Sequence, residues 1–334
     1  MAARKFILLL LLSLCFVHSN AQDSSEIIRN ARGYMQNKEY EKAISLLKES
    51  IADDSTVLSF KKELFWCYYK QDSLNKSLKT IQTILKTNQA DDQCFQMCGY
   101  IFRALGRFAS CDSILKIGLT RFPNSGPLYN DLGERLAEQK NILAIKCWEN
   151  GIQKDPNFGG NYFNASLYYF NNKNPFWALM YGEIYVNLSP LGDKSITIRK
   201  KMLEVYKNIF ANIKQMNATS FSTPFAKKYL THLFKQEEIA KKTLSLDDIL
   251  MARTRFLLDW YNDRNTMLPF RLFEMHRELL QRGLFTAYHQ WMFGLVDNTS
   301  AYQRWKELHA DEDAAFERYR YSNNFRIPIG QYYR

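Results

Sequence analysis

The sequence lacks the short motifs that usually mark a catalytic centre. Its 334 residues contain no glycine-rich phosphate loop, paired-histidine zinc helix, Cys-x-x-Cys pair or nucleophile elbow. Two Ser-x-x-Lys matches, at Ser45 and Ser113, fall in stretches with helical periodicity, where such matches are common by chance. The histidines beyond residue 21 are too widely spaced to predict a metal site: His232, His276, His289 and His309. We therefore predict a protein that is not an enzyme and that needs no cofactor.

Cysteine is sparse, and its placement argues against a fold held together by disulfides. Beyond residue 21 the sequence contains five cysteines: Cys67, Cys94, Cys98, Cys111 and Cys147. An odd number of cysteines, set within stretches of helical periodicity, is not typical of a disulfide framework. Cys94 and Cys98 lie one helical turn apart, where a bridge would restrain almost nothing. We predict that these cysteines are small buried core residues.

Long apolar runs are also lacking, apart from one at the start of the sequence. Arg4 and Lys5 precede an apolar run from Phe6 to Val17, and small residues follow up to Ala21. As a helix this run would rise only about 18 Å, which is short of the roughly 30 Å hydrocarbon core of a bilayer. The pattern predicts a signal peptide over 1–21 that is cleaved after Ala21. We expect an exported protein of the periplasm or cell surface, without a transmembrane segment after signal removal.

An excess of acidic residues is missing too, and the basic excess is uneven. Residues 22–192 contain 20 Lys and Arg against 18 Asp and Glu, whereas 193–334 contain 23 against 16. Outside the cytoplasm a basic surface meets anionic envelope polymers or lipid headgroups far more often than nucleic acid. We therefore predict no nucleic-acid partner. Two readings of the basic C-terminal part stay open: contact with an anionic envelope polymer, and a solvated face without a partner.

What the sequence does contain is a set of landmarks that recur about every 34 residues. A small or compact residue recurs at spacings of 34, 34, 33 and 34: Ala43, Ser77, Cys111, Ala144 and Ala178. An aromatic or large apolar residue recurs at spacings of 34, 34, 34 and 33: Tyr34, Tyr68, Phe102, Leu136 and Tyr169. Three prolines follow in step: Pro123, Pro156 and Pro190. The missing residue falls between Leu136 and Ala144, where a shortened turn between helices would absorb it. A fixed period of this length predicts a helical repeat array.

At these positions the chain resembles the tetratricopeptide repeat family. The shared pattern is a small pair early in the first helix, an aromatic residue one turn later, an alanine early in the second helix and a closing proline. Leu132-Gly133, Cys98-Gly99 and Ala178 fit this pattern well. Ala31 and Phe65 depart from it, because the family has glycine at those positions. The resemblance extends to exported envelope proteins of Bacteroidota.

The resemblance implies five repeats and an all-α fold. The repeats span 24–57, 58–91, 92–125, 126–158 and 159–192. Small residues let the two helices of a repeat approach closely, and each pair leaves an apolar face that only neighbouring pairs can bury. The expected architecture is a solenoid of helix-turn-helix pairs, followed over 193–334 by a helical C-terminal unit for which no family is recognised.

In this family the first helices line the concave side, and the resemblance therefore names a ligand groove. Transferring the family's inward-facing positions gives these residues from repeats two to five: Lys62, Trp66, Tyr69, Lys70, Gln96, Tyr100, Arg103, Asn130, Glu134, Phe163, Leu167 and Phe170. The groove would be aromatic and basic early, acidic in the middle and apolar late. Chaperone-binding members hold a terminal carboxylate with a lysine and an asparagine. That clamp is absent here, because Trp66 stands where the asparagine would.

Three functions compete on this basis. The leading hypothesis is a non-catalytic scaffold of the bacterial cell envelope, whose groove binds a protein partner as an extended peptide or a helix. The alternative is an envelope-glycan binder that uses aromatic platforms: Trp66, Tyr69, Trp260 and Trp291. The third is an enzyme in the C-terminal unit, for which one open cleft would have to unite Asp259, Asp263, His276 and His289. The sequence also leaves undecided whether the groove is accessible or is closed by packing of the aromatic residues inside the protein.

The C-terminal unit shows helical patterns without the 34-residue period. The segment from Ile196 to Ile213 has an apolar stripe and is predicted to cover the open end of the array. Ser245 and Asp248 form the pattern of a capping box at the start of a helix. Another helix is expected between Pro269 and Gly283, and one long helix after Ser300. The last residues are predicted to leave the helix at Pro328 and to lie extended on the surface. We interpret His289 as a hydrogen-bonded core residue.

Overall fold

The computed structural model describes residues 24–215, 223–239, 244–262 and 268–332. Within these ranges the chain is helical and contains no strand, which confirms the predicted all-α class. None of the helices in the same ranges is both long and apolar enough to cross a bilayer. The predicted signal peptide, 1–21, and Asp263 lie outside the described residues.

The first ten helices form five antiparallel pairs, as the landmarks predict. Their bounds are α1 (24–36), α2 (Tyr40–Asp53), α3 (Leu58–Lys70), α4 (Leu74–Leu85), α5 (Asp92–Ala104), α6 (Phe108–Arg121), α7 (Gly126–Glu138), α8 (Ala144–Lys154), α9 (Gly159–Asn171) and α10 (Pro175–Leu188). Each large landmark lies on the first helix of a pair and each small landmark on the second. The prolines stand between pairs, just after the second helices end. The architecture is therefore of the tetratricopeptide type.

A left-handed residue occupies the same place in the turn of every pair. The five residues have φ between 52° and 68°: Lys38, Asp72, Gly106, Lys140 and Lys173. The following amide donates to the carbonyl of the large landmark, as from Glu39 N to Tyr34 O and from Arg107 N to Phe102 O, both at 2.8 Å. This bonding is that of a Schellman motif, which satisfies the last carbonyls of the first helix. Four of the five residues are not glycine, so only Gly106 marks its turn with the residue type that usually takes this conformation.

The residue missing from repeat four lies between Lys140 and Ala144, within the predicted interval. The predicted cause, a shorter turn, is wrong. Helix α8 begins at Ala144 itself, whereas α2 begins at Tyr40, three residues before Ala43. Ile142 and the residue after it form a turn in place of the first turn of α8. The deletion has therefore shortened the second helix and left the left-handed turn intact.

Small residues bring the paired helices close, most tightly in repeat four. A Cβ atom added to Gly133 of α7 would lie 2.3 Å from Nε1 of Trp148 on α8. At Gly99 of α5 the nearest atom would be Cδ2 of Leu115 on α6, at 3.2 Å. The glycines thus allow a large apolar side chain to pack directly on the facing backbone.

Packing divides the chain into two compact units. The first unit ends at Pro123 and the second begins at Asn124. In the first unit a small apolar core is built from helices α1 to α3, and it includes Ala31, Leu47 and Phe60. The division falls inside the repeat array, whereas the sequence suggested a change of unit after residue 192. That suggestion remains a prediction about the organisation of the chain.

The second unit joins repeats four and five to the remaining helices in one core. These helices are α11 (Asp193–Asn212), α12 (Pro224–Phe234), α13 (Leu246–Asn262), α14 (Arg271–Gln281), α15 (Phe285–Asp297), α16 (Thr299–Leu308) and α17 (Ala310–Ser322). Helix α11 packs on α9, α10 and α15, and the predicted stripe is buried: Met202, Tyr206 and Ile209 on α11, and Ile213 in the 3-10 turn that follows it. The core cluster runs from Ala144 to Ile327, so it contains residues of repeats four and five as well as of the C-terminal helices.

Two local predictions for the second unit are confirmed and two are corrected. Ser245 and Asp248 form the reciprocal capping box, and Gly283 ends α14 with φ 70°. The long helix expected after Ser300 is two helices, because the backbone breaks at His309 with φ −125° and ψ 39°. The last described residues are extended, but helix formation already stops at Ser322. Phe325 and Ile327 are buried, whereas Ile329 is 83% exposed, so this segment does not simply lie on the surface.

Candidate functional site: an open cavity in the first unit

An open cavity of about 670 Å³ lies on the first helices of the first unit. Its walls come from α1 and α3 and from the start of α5: Arg32, Met35, Gln36, Leu58, Ser59, Lys62, Glu63, Trp66, Lys70 and Gln93. Three of these residues, Lys62, Trp66 and Lys70, were predicted for the groove. The volume is in the range of sites that hold a drug-sized molecule or several side chains of a peptide.

An aromatic cluster starts at Trp66, which borders this cavity, and extends to Tyr69 and Tyr100, which do not border it. The ring of Trp66 lies 5.6 Å from that of Tyr69 and 6.4 Å from that of Tyr100, measured between centroids. Tyr100 comes from the next repeat and is 36% exposed, whereas Trp66 and Tyr69 are half-buried. The structure therefore brings together the three predicted aromatic residues and leaves part of each accessible. Phe65 stacks behind Tyr69 at 6.2 Å and holds it in place.

Most of the basic groups at the cavity are paired with acidic side chains. Lys62 Nζ lies 2.5 Å from Asp91 Oδ2 and 2.8 Å from Gln93 Oε1. Arg32 donates to Glu63 at 2.5 and 2.9 Å. Burial raises the pKa of the Asp91 carboxyl, but hydrogen bonds from Lys62 and Cys94 outweigh this effect and lower it.

Lys70 is the exception among these basic groups. Its ammonium is exposed, and within the described part of the chain it has no ion-pair partner. Lys70 follows Trp66 by one helical turn, so both side chains lie on the same face of α3. The predicted residues Gln96 and Arg103 lie on α5 but do not border the cavity. The site thus offers an aromatic surface beside one unneutralised cation.

Repeat one contributes residues that sequence reasoning left out. Arg32, Met35 and Gln36 of α1 form one wall of the cavity. The groove predicted from the family's inward-facing positions begins at repeat two. Applying the 34-residue period backward from Trp66 gives Arg32, so the signal was present in the sequence.

In the second unit, the predicted middle residues form a polar cluster. Asn130 donates to Glu134 at 3.1 Å. Asn164, which was not predicted, donates to Asn130 Oδ1 at 2.8 Å and to Glu134 Oε1 at 3.2 Å. Asn130 is buried, and its backbone carbonyl also accepts from Trp148. These side chains therefore connect α7 to α9, and most of their hydrogen bonds are to one another.

The predicted late residues lie under lysines of α11. Lys194 Nζ is 4.8 Å from the ring centroid of Phe163, and Lys201 Nζ is 5.8 Å from that of Phe170. Both rings and Leu167 are partly buried against the core of the second unit. The apolar late surface expected from the sequence is thus partly covered by the protein's own cations.

The three candidate catalytic residues with described positions, Asp259, His276 and His289, do not meet in an open cleft. His289 is fully buried between Arg253 and the Leu246 carbonyl, as the core interpretation predicts. His276 is also buried, with Nε2 3.1 Å from Glu183. Asp259 accepts a hydrogen bond from Gln236 elsewhere. Among the residues with described positions, no group of three His, Cys, Asp or Glu side chains is arranged to hold a metal ion.

Sequence reasoning missed the charged network at which these histidines meet. Glu183 of α10 pairs with Arg253 of α13 and accepts from the Tyr288 hydroxyl at 2.8 Å. Burial raises the pKa of Glu183, but Arg253 and His276 outweigh it and lower the value to about 2. The network is closed to solvent and its groups satisfy one another. A lone glutamate within the apolar helix α10 was the available signal.

Two of the aromatic platforms named for a glycan are not available. Trp260 is 3% exposed and packs inside the core against Phe225 and Phe273. Trp291 is half-buried, and the guanidinium of Arg199 lies 4.2 Å from its ring centroid. The glycan hypothesis therefore retains only Trp66 and Tyr69 of its four residues.

Comparisons with known proteins return structures of the same repeat type. No family model and no curated protein matches the chain. YrrB, described as a TPR protein with an unusual peptide-binding site, is 17% identical over 52% of this chain and 90% of its own, with a TM-score of 0.35. A tetratricopeptide repeat protein from Parabacteroides merdae is 11% identical over 76% and 97%, with a TM-score of 0.41. The C-terminal part of a TPR protein from Cytophaga hutchinsonii is 16% identical over 69% of this chain and 94% of its own, with a TM-score of 0.40. These similarities concern architecture and carry no information on ligands.

Proposed function

We propose that this chain is a non-catalytic scaffold of the bacterial cell envelope that binds a protein partner in the first-unit cavity. The observation that carries the proposal is an open cavity of about 670 Å³ with a partly exposed tryptophan and an unneutralised lysine on one helix face. Envelope location rests on the signal pattern of residues 1–21 and on the resemblance to exported proteins. A contact between the basic C-terminal part and an anionic envelope polymer belongs to the same proposal.

The chemistry of the cavity favours a peptide segment with two features. An aromatic or large apolar side chain would pack on Trp66, Tyr69 and Tyr100, which gain from edge-to-face contacts. A carboxylate about one helical turn away would face Lys70, which among the described residues has no acidic partner.

The binding experiment uses the exported chain, residues 22–334, and a library of displayed random peptides. Selected peptides are synthesised with a fluorescent label, and their affinities are measured by anisotropy. We expect enrichment of aromatic residues next to Asp or Glu. Trp66→Ala and Tyr100→Ala should each weaken binding by about tenfold or more, because central aromatic anchors typically contribute at least about 1.4 kcal/mol.

The matched control is Tyr321→Ala, which removes an aromatic ring that is 78% exposed in the second unit. This variant should bind the peptides as the unchanged chain does. Unchanged affinity in folded Trp66→Ala and Tyr100→Ala would remove the cavity from the proposal. A tryptophan fluorescence response to a glycan panel, with no peptide selected, would instead favour the glycan alternative. Cell fractionation and N-terminal sequencing, with Gln22 expected first, test export.

A further inference from the structure

Residues 325–332 are held on the second unit in the manner of a bound peptide. Asn157, in the loop between α8 and α9, makes two hydrogen bonds to the backbone of Ile327. Its Nδ2 donates to the Ile327 carbonyl at 3.1 Å, and its Oδ1 accepts from the Ile327 amide at 2.9 Å. This exchange of one donor and one acceptor is the pattern by which neighbouring strands recognise each other. The Asn157 side chain thus binds an extended backbone, and these two hydrogen bonds do not depend on the side chains of the segment.

Alternate side chains of the segment supply the apolar anchors. Phe325 and Ile327 are 7% and 2% exposed, whereas Arg326 and Pro328 are exposed. Alternation of this kind is what an extended chain presents when one face is bound. The segment then turns at Gly330, with φ 92°.

A further hydrogen bond fixes the segment after this turn. Gln331 Oε1 accepts from the backbone amide of Arg271 at 2.6 Å, which satisfies a free donor at the start of α14. The contacts therefore recognise an extended backbone with an aromatic and an aliphatic anchor two positions apart.

The surface that holds residues 325–332, between Asn157 and the start of α14, is called the Asn157 groove, and its own segment does not fill it completely. A cavity of about 160 Å³ lies beside Phe325; its walls are apolar at Met275 and Phe316 and polar at Asn187 and Arg320. Such unfilled space forfeits packing contacts that a tightly fixed segment would make. The connection from α17 runs through Asn323 and Asn324, both of which are exposed. The segment is thus attached through two solvent-exposed residues and is incompletely packed.

From these features we infer that the Asn157 groove is a peptide-recognition site, and that residues 323–332 of a second copy of this chain bind it by exchange. One copy demonstrably carries a sequence that fits the groove. A second copy would make the same hydrogen bonds and bury the same anchors, so exchange needs no new contact. The exchanged and unexchanged forms would differ in the direction that the backbone takes through Asn323 and Asn324. This inference is independent of the ligand proposed for the first-unit cavity.

The first experiment opens the groove in the full exported chain. Ile327→Asp removes one anchor and discourages its own segment from binding, while the groove stays intact. A labelled peptide with the sequence of residues 323–332 should bind this variant at least about tenfold more tightly than the unchanged chain. The reason is that a short connection gives the attached segment an effective concentration in the millimolar range. A folded Ile327→Asp chain that does not bind the peptide would overturn the inference.

Controls separate recognition from general stickiness. Adding Asn157→Ala to Ile327→Asp removes both backbone hydrogen bonds and should weaken peptide binding on the order of 30-fold. A peptide with Arg326→Ala, which changes an exposed position, should bind normally, whereas one with Phe325→Ala should lose most of its affinity. If Ile327→Asp fails to fold, a protease site inserted between Ser322 and Asn323 replaces it. After cleavage the bound segment should exchange with labelled peptide, and absence of exchange contradicts the inference.

Complementation tests whether a second copy is the occupant. Ile327→Asp has an intact groove and a defective segment, whereas Asn157→Ala has an intact segment and a weakened groove. In sedimentation velocity each variant alone should be monomeric, and an equimolar mixture should form a 1:1 complex that the free peptide dissociates. Two folded variants that stay monomeric when mixed, under conditions where the peptide binds, would exclude the second copy as the occupant.

Discussion

Repeats of the same type have exposed charged side chains in the first unit and buried ones in the second unit. In the first unit the charged pair at the repeat face, Arg32 with Glu63, has side-chain exposures of 62% and 9%. In the second unit the pair Arg253 with Glu183 has exposures of 5% and 2%. The first helices of the first unit leave an open cavity, whereas those of the second unit are partly covered by lysines of α11. The face of a repeat thus stays open or becomes part of a core according to what packs on it.

Burial explains why the difference matters energetically. A charge pair with one solvated partner gains little, because water competes for both groups. In a buried pair each charge depends on the other, because a single charge left in the core has neither water nor a counter-charge to stabilise it. Arg253 shows this dependence: burial lowers its pKa, but Glu183 and the neighbouring tyrosines outweigh that effect and raise it. The second unit is therefore expected to be far more sensitive to loss of one charge.

The largest expected effect comes from Glu183→Gln, which leaves Arg253 charged and unpaired in the core. We expect a loss of about 3–5 kcal/mol in the free energy of unfolding, as for other broken buried pairs. The matched change in the first unit, Glu63→Gln, should cost about 1 kcal/mol or less, because Arg32 remains hydrated. Urea denaturation measures the losses, and hydrogen exchange with mass spectrometry assigns each loss to its helices. Equal losses for the two variants would contradict the comparison.

The repeat array was predictable because its determinants are local. A close contact such as that between α7 and α8 requires a small residue at a fixed helical position, so Gly133 and Ala144 leave a visible period. Large landmarks such as Tyr34 also mark a helix end, because their carbonyls accept the bond that closes the turn. The turn residues themselves were missed, since lysine and aspartate take the left-handed conformation at four of the five positions.

The remainder of the molecule depends on contacts between distant residues. Glu183 and Arg253 are 70 positions apart, and Asn157 and Ile327 are 170 apart. No spacing rule connects such residues, so neither the buried network nor the held segment could be derived. The same limit applies to the site: Trp66 and Lys70 follow from helical periodicity, but their accessibility depends on which side chains lie nearby. The break at His309 was missed because its sequence contains neither glycine nor proline.

A smaller effect is expected where glycine permits close helix packing. Gly133→Ala would place a methyl group 2.3 Å from Nε1 of Trp148, a side chain that is itself hydrogen bonded to the Asn130 carbonyl. We expect a loss of about 2 kcal/mol, typical of overpacking. Gly99→Ala in the first unit should be nearly neutral, because Leu115 can yield slightly and alanine favours a helix by about 1 kcal/mol. Thermal unfolding of both variants decides the point: equal melting temperatures would show that the two pairs tolerate added volume alike.

The smallest expected effect is a dependence of stability on pH that is confined to the second unit. Burial lowers the pKa of His276, an effect only partly offset by Glu183. Burial and the nearby Arg253 lower that of His289 well below its usual value. The unfolded chain takes up protons on these rings as the pH falls through about 6.5, whereas the folded chain resists. Stability is therefore complete above that pH and falls below it, by at most about 1.4 kcal/mol per pH unit for each proton.

Residues 24–123 contain no histidine, so the helices of the first unit provide an internal control. Hydrogen exchange measured at pH 7 and at pH 5.5, and corrected for the intrinsic rates, should show loss of protection in α13, α14 and α15 with α1 to α6 unchanged. Replacing His289 by Gln, which cannot be protonated in this range, should remove part of the dependence and keep a donor for the Leu246 carbonyl. Equal pH sensitivity in both units would show that burial of these imidazoles is not its cause.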